Sequence, residues 1–292
     1  MAWSFEKIAG PFDGPTGGLV WDGSGMLFSA LGEGRILRYA PKTGEVSVLR
    51  RYTNRTNGLA FGADGALYGC QELSRRVVRF DADGSSAATG YLIDGRYHNQ
   101  PNNLAIDSRG NIWFSDPWSD LRASGPQLFA PLEHASVLRL ELDALRKLWS
   151  LRRMTYDTAA PRALALSPDE ATLYVAETDN RAQGRRELRA YPVLSDGTLG
   201  TYALLHTFGR DHRGEHRGIE GLCIDGNGNI VAVAGWRRSG PGPLVYVFAP
   251  SGAVLESHPF PADAPMNCAF GGEDLRSLYV TTAGGELWRT KR

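Results

Sequence analysis

The chain has 292 residues, and its 32 Lys and Arg are matched by 32 Asp and Glu. A formal net charge of zero leaves no basic footprint for a phosphate backbone, so nucleic acid is excluded as a partner. No apolar run approaches the length needed to cross a membrane.

Cys70, Cys223 and Cys268 are widely spaced and contain no CxxC, which is neither a disulfide framework nor a zinc site. The stretch Met1–Lys7 has no basic region followed by an apolar core, so the expected compartment is the cytoplasm.

In chain order, Trp3–Ala9 precedes any repeat. Then one short pattern recurs: a special residue, a small one, Leu or Cys, an aliphatic or small residue and an apolar one. The copies are Gly17-Gly18-Leu19-Val20-Trp21, Asn57-Gly58-Leu59-Ala60-Phe61 and Asn102-Asn103-Leu104-Ala105-Ile106. Arg162-Ala163-Leu164-Ala165-Leu166, Glu220-Gly221-Leu222-Cys223-Ile224 and Met266-Asn267-Cys268-Ala269-Phe270 follow. They lie about 40 to 60 residues apart, the spacing of four-stranded propeller blades.

Each of the first five copies is followed by a turn rich in Asp, Gly or Asn, such as Asp22-Gly23-Ser24-Gly25 and Asp225-Gly226-Asn227-Gly228. A short apolar strand comes next in every unit, as in Met26-Leu27-Phe28 and Asn111-Ile112-Trp113-Phe114. In the first five units an alternating strand follows, read with its Arg outward, as in Arg35-Ile36-Leu37-Arg38-Tyr39 and Glu187-Leu188-Arg189-Ala190-Tyr191. Helical periodicity is weak, and Leu140–Leu151 is read as strand or loop. The last unit stops at Gly285-Glu286-Leu287-Trp288-Arg289, one strand short, and the N-terminal stretch is expected to supply that strand. The expectation is an all-β, six-bladed β-propeller, one domain over residues 1–292, its ring closed by the N-terminal strand.

In such a ring the innermost strands face a shared axis. Gly17, Asn57, Asn102, Arg162, Glu220 and Met266 then become neighbours, and a convergent polar set in a concavity is a candidate site for a small-molecule substrate. The loops around them supply further candidates: Glu72, His98, Asp116, Trp118, His134, Tyr156, Glu177, Asp179 and Trp236. Trp118 and Trp236 suit the wall of a sugar-like or aromatic ligand. No GxSxG, HExxH, Walker or Rossmann motif occurs. Asp225-Gly226-Asn227-Gly228-Asn229 begins like a calcium loop but has Ile230 where that loop needs Gly, so it reads as a β-turn.

Several stretches resemble the superfamily of gluconolactonases, regucalcin (senescence marker protein), luciferin-regenerating enzyme and diisopropyl-fluorophosphatase. They are Thr56-Asn57-Gly58-Leu59-Ala60-Phe61, Gln100-Pro101-Asn102-Asn103-Leu104, Trp113-Phe114-Ser115-Asp116-Pro117 and Gly218-Ile219-Glu220-Gly221-Leu222-Cys223-Ile224-Asp225.

The resemblance implies hydrolysis of a lactone or related small ester and a divalent cation (calcium, zinc or magnesium) on the axis. It implies ligands from a blade-one Glu, Asn residues of blades three and four, and a blade-five Asp. Here Asn102 matches the blade-three Asn and Glu220 stands for the Asp, while Gly17 and Arg162 occupy the other two positions. If any residues hold a metal, they are Glu220 and Asn102, with Asp13 as a further candidate.

The always-charged guanidinium disfavours a neighbouring dication and favours a carboxylate. Arg162 is therefore expected to pair with Glu220 in much of the metal's place. Glu220 is read as general base, Arg162 and the Asn57 and Asn102 amides as oxyanion partners, and His134 as a further catalytic candidate. Asn103, Asp116, Trp118, Tyr156 and Trp236 are read as substrate contacts. A non-hydrolytic isomerase or cyclase, or a propeller that binds a small anion without catalysis, are the alternatives. Oligomeric state is not written in these motifs.

Overall fold

A computed structural model of the chain describes residues 3–143 and 145–291. The turns are built by the predicted aspartates. Asp22 Oδ1 accepts the N–H groups of Ser24 and Gly25 at 2.8 and 2.6 Å, and Asp107 Oδ1 those of Arg109 and Asn111 at 3.0 and 2.9 Å. Asp225 Oδ1 takes those of Asn227 and Asn229 at 2.8 and 2.9 Å, which makes the calcium-loop look-alike a turn. Each turn sends the chain back antiparallel to the strand it has left.

Six four-stranded antiparallel sheets result. Their innermost strands are Thr16–Trp21, Thr56–Phe61, Leu104–Ile106, Pro161–Leu166, Ile219–Ile224 and Pro265–Gly271. Each innermost strand contacts the next around a closed cycle, and the last contacts the first. The sixth blade is completed by Glu6–Ala9, which pairs antiparallel with Leu287–Lys291, Glu6 opposite Arg289 and Lys7 opposite Trp288. The chain is therefore an all-β six-bladed propeller closed by its N-terminal strand, as expected. Ser136–Asp143 and Leu148–Arg153 are adjacent strands of blade three, so the described part of the weakly helical stretch is strand on either side of a turn at 145–147.

The strands lie between two neighbours, and this corrects one expectation. The third-strand arginines of blades three and four do not face water: Arg139 is 5% exposed and Arg189 fully buried. In a ring both faces of a blade are covered by adjacent blades, so alternation separates two packed interfaces rather than core from solvent. Arg139 lies over the Trp113 ring at 4.7 Å and Arg189 over Tyr202 at 4.4 Å. Their charges are met by Glu141 and Glu187.

Two features aim the special residues inward. In five of the six innermost strands the register slips at the start of the repeat motif, between Thr16 and Leu19, Thr56 and Leu59, Pro161 and Leu164, Ile219 and Gly221, and Pro265 and Asn267. A bulge of this kind re-aims a side chain at a strand end. The small second residue follows from crowding. A Cβ on Gly58 would lie 2.7 Å from Asn103 Cα, and the Gly58 N–H donates to Asn102 O at 2.8 Å. Further along the axis Leu19, Leu59, Leu104, Leu164, Leu222 and Cys268, the equivalent third positions of the six motifs, all line one cavity of about 420 Å3. Among the described residues no helix is long and apolar enough to cross a membrane.

Candidate active site

Two carboxylates organise the end of the axis where the innermost strands begin. Glu72 follows the second strand of blade two (Leu67–Gln71) and is 6% exposed. Its Oε1 accepts the Nδ2 amides of Asn57 at 2.9 Å and Asn102 at 3.2 Å, while Oε2 takes Arg55 Nε at 2.7 Å. Asn57 Oδ1 in turn accepts the Gly18 N–H at 3.3 Å. Blades one, two and three are thus joined through a carboxylate with both oxygens engaged.

Glu220, 7% exposed, is the second centre. Its Oε1 accepts Arg217 Nε at 3.1 Å and Asn180 Nδ2 at 3.4 Å, and no described protein donor reaches Oε2. Arg217 also reaches Pro265 O and Met266 Sδ, tying blade five to blade six.

These bonds correct one expectation. Glu220 pairs with Arg217 rather than with Arg162, because Arg217 stands three residues earlier at the entry to the same strand and reaches the carboxylate locally. The Asn57 and Asn102 amides each give one N–H to Glu72, and each amide has a second N–H.

Arg162 is left without a partner: its Nε is buried with no hydrogen bond, and no described carboxylate lies within 4.0 Å of its guanidinium. Its carbonyl accepts Ser115 Oγ at 2.6 Å, which fixes the strand start against blade three.

The remaining candidates separate. Asn103 lines the cavity further along the axis, its Oδ1 accepting the Leu104 N–H at 3.1 Å. Asp116 is fully buried, and Oδ2 accepts the Asn99 N–H at 2.7 Å. Burial pushes its pKa up to about 8, with the Asn99 N–H and the Arg75 charge opposing. His98 is also fully buried and is pushed down to about 3, by burial first and then by the Arg76 charge. Glu177 is held by the N–H groups of Ala159 and Ala160 at 2.8 and 2.7 Å, and burial raises its pKa. Asp179 is paired with Arg181 at 2.7 Å.

His134 is half-buried with Nδ1 2.8 Å from Ser136 Oγ, and its pKa is lowered by burial and by Arg153. Tyr156 is exposed beneath the Arg153 guanidinium at 4.4 Å, and Trp118 is exposed. Trp236 donates Nε1–H to Ser239 Oγ at 2.7 Å and carries Arg238 at 5.5 Å and Arg217 at 6.0 Å over its ring. Asp13 is exposed, and its N–H donates to Glu33 Oε1.

Arg55, Arg217 and Asn180 lie outside the repeat motifs. Two had a local signal: Arg55 directly precedes Thr56-Asn57, and Arg217 stands three residues before Glu220.

The donor set can be compared with the axial cation that the resemblance implies. At position 17 a Cβ would lie 2.3 Å from Asn57 Oδ1, so no longer side chain fits there without displacing that amide. Arg162 brings a cation, and Glu220 is already neutralised by Arg217. Among the described residues no three His, Cys, Asp or Glu side chains converge as a metal site. These residues do not fit a resident divalent cation.

Residues 15–284 match the SMP-30/gluconolactonase/LRE-like region. The chain belongs to this family. Among its relatives, a 6-deoxy-6-sulfogluconolactonase of Pseudomonas putida is 31% identical over 65% of this chain and 56% of its own length. A gluconolactonase of Zymomonas mobilis is 27% identical over 78% of the chain and 61% of its own length. The chain thus spans somewhat over half the length of these two relatives. A pentonolactonase of Haloferax volcanii is 26% identical over 92% of the chain and 81% of its own length. Among solved structures, a gluconolactonase from Xanthomonas campestris has a TM-score of 0.78 at 30% identity, covering 99% of this chain and 89% of that one. A regucalcin from Agrobacterium tumefaciens has a TM-score of 0.74 at 16% identity, covering 99% and 93%, and at that identity it attests the fold alone.

Proposed function

We propose that the chain is a lactonase-like hydrolase that opens a small lactone at the axial end carrying Glu220 and Arg162, without a resident metal. Relatives that act on six-carbon and five-carbon sugar lactones support the reaction class and a polyhydroxylated substrate. The metal-free centre rests on the donor set, in which one position of the implied cation's ligands is filled by a guanidinium and another is closed to a longer side chain.

The observation that carries the reading is the contrast between the two carboxylates. Glu72 has both oxygens engaged, whereas Glu220 is held by one oxygen and offers Oε2. A positioned carboxylate with a free oxygen can take a proton from water as it attacks the lactone carbonyl. Negative charge then grows on the carbonyl oxygen, and the unpaired Arg162 guanidinium is the axial group suited to receive it. The ring C–O bond breaks, the departing oxygen takes the proton from Glu220, and the new carboxyl group, which keeps the second water proton, releases it to solvent to give the hydroxy acid as its carboxylate. Arg217 fixes the base and has no contact with the reacting atoms in this scheme.

The test is a panel of five-carbon and six-carbon aldonolactones assayed with and without chelator, alongside metal analysis of the purified protein. Turnover that survives the chelator, and that falls about a hundredfold or more in Glu220→Gln, is expected. Turnover that requires a stoichiometric cation would overturn the metal-free centre. Turnover unchanged in Glu220→Gln would overturn the assignment of the base.

A further inference from the structure

Among the described residues each buried arginine has a carboxylate: Arg139 has Glu141, Arg186 has Glu215 at 2.5 Å, Arg189 has Glu187 at 2.6 Å, and Arg217 has Glu220 at 3.1 Å. The pattern has a physical cause, since a guanidinium withdrawn from water is costly unless an anion and hydrogen-bond acceptors replace the water. Arg162 has no such partner. Its Nε is buried and unbonded, and it sits on the innermost strand of blade four at the position equivalent to Asn57 and Glu220.

The neighbouring carboxylates do not pair with Arg162. Glu177, in the strand Thr172–Thr178 opposite Pro161, takes the N–H groups of Ala159 and Ala160 on Oε1 and keeps Oε2 buried without a hydrogen bond, and Asp179 serves Arg181. Arg55 and Arg217 are taken by Glu72 and Glu220. Among the described residues Arg162 has no carboxylate within 4.0 Å, so it is the guanidinium of these three without an anion.

We propose that Arg162 is a ground-state receptor for a carboxylate, and that its ligand is the hydroxy acid released by ring opening. The product clause rests on the lactonase reading above, while the receptor does not. A neutral lactone offers Arg162 only a carbonyl dipole, whereas the product offers a full charge and a bidentate fork. The protein thus holds its product more tightly than its substrate and is inhibited by it competitively. In a reaction sequence, a step that consumes or removes the hydroxy acid must follow closely for flux to continue.

Calorimetric titration of the full chain tests this with five-carbon and six-carbon aldonates, each compared with the neutral polyol of the same length. The aldonate that binds is expected to do so about tenfold or more tightly than its polyol, with affinity falling as salt rises. Arg162→Gln abolishes the preference and Arg162→Lys keeps part of it. Without ligand, Arg162→Gln melts no lower than the wild type, because it removes an unpaired cation. The proposal is overturned if aldonates bind no better than polyols, or if Arg162→Gln binds them unchanged. Lactone turnover without aldonate binding would overturn the receptor alone. Aldonate binding without turnover of any lactone would overturn the hydrolase reading and the product clause, and would leave the receptor standing.

Discussion

Arg217 donates its Nε–H to Glu220 Oε1 at 3.1 Å from within the same strand entry, and both side chains are more than nine-tenths buried. The pair closes locally what would otherwise be a bond across the axis, and so it releases Arg162. Removing one partner strands the other charge. Arg217→Met should cost about 3–5 kcal/mol in denaturant unfolding. The double variant Arg217→Met/Glu220→Gln, which strands no charge, should recover most of that loss. Simple additivity of the two single changes would show that the pair is not coupled.

The Glu72 centre makes a different prediction. Glu72→Gln keeps the shape but presents an amide to two amides and a guanidinium, so that Asn57 and Asn102 lose a common acceptor. Replacement of a charged acceptor in three buried hydrogen bonds should destabilise by about 2–4 kcal/mol. If Glu72 only positions the two amides, lactone KM should rise more than kcat falls. A collapse of kcat at unchanged KM would instead make Glu72 the proton acceptor.

Ring closure is testable by truncation. Removing residues 1–9 exposes the edge of Leu287–Lys291 and strips Trp3 and Phe5 from the cluster containing Phe260 and Trp288. Trp3 also stacks on His258 at 4.3 Å. Loss of these two aromatic contacts should cost roughly 2–4 kcal/mol, and the open edge should favour aggregation on heating. A truncated chain with an unchanged melting temperature would mean that the N-terminal strand adds nothing to the sixth blade.

How far these features could be read in advance differs from one to the next. The blades were visible because each unit repeats a strand start, an Asp-built turn and a second strand, and these are local signals. That Asn57 and Asn102 meet, far apart as they are along the chain, followed from the ring alone. The partners did not follow, because a repeat motif names the inward position and not what the bulge beside it lets that residue reach. Glu72 stands one residue beyond its strand, and Arg55 is placed opposite it by the backbone bond from Glu72 N to Arg55 O. The burial of Arg139 and Arg189 was hidden for another reason. Period-two alternation reports two faces, and at Arg139 and Arg189 neither face meets water.

Asp116 and His98 are buried close to the Asn102 loop and give opposite pH dependences. Asp116 is held up at about 8. Between about pH 4 and that value the unfolded chain has released a proton that the folded chain still binds, so this group makes stability fall as pH rises. His98 is held down at about 3. Between that value and about pH 6.5 the unfolded chain binds a proton that the folded chain refuses, so this group makes stability fall as pH drops. The two slopes oppose each other from about pH 4 to 6.5, with Asp116 alone acting above that range and His98 alone below it.

Relative to wild type, Asp116→Asn should gain stability progressively from about pH 4 to 8, by at most about 1.4 kcal/mol per pH unit. The Asn99 N–H keeps an acceptor in that variant. His98→Gln should show its relative gain only as pH falls below about 6.5. Urea unfolding at five or six pH values separates the two. A constant offset for Asp116→Asn across the range would show that this carboxyl titrates alike in the folded and unfolded chains, and that its burial has no electrostatic cost.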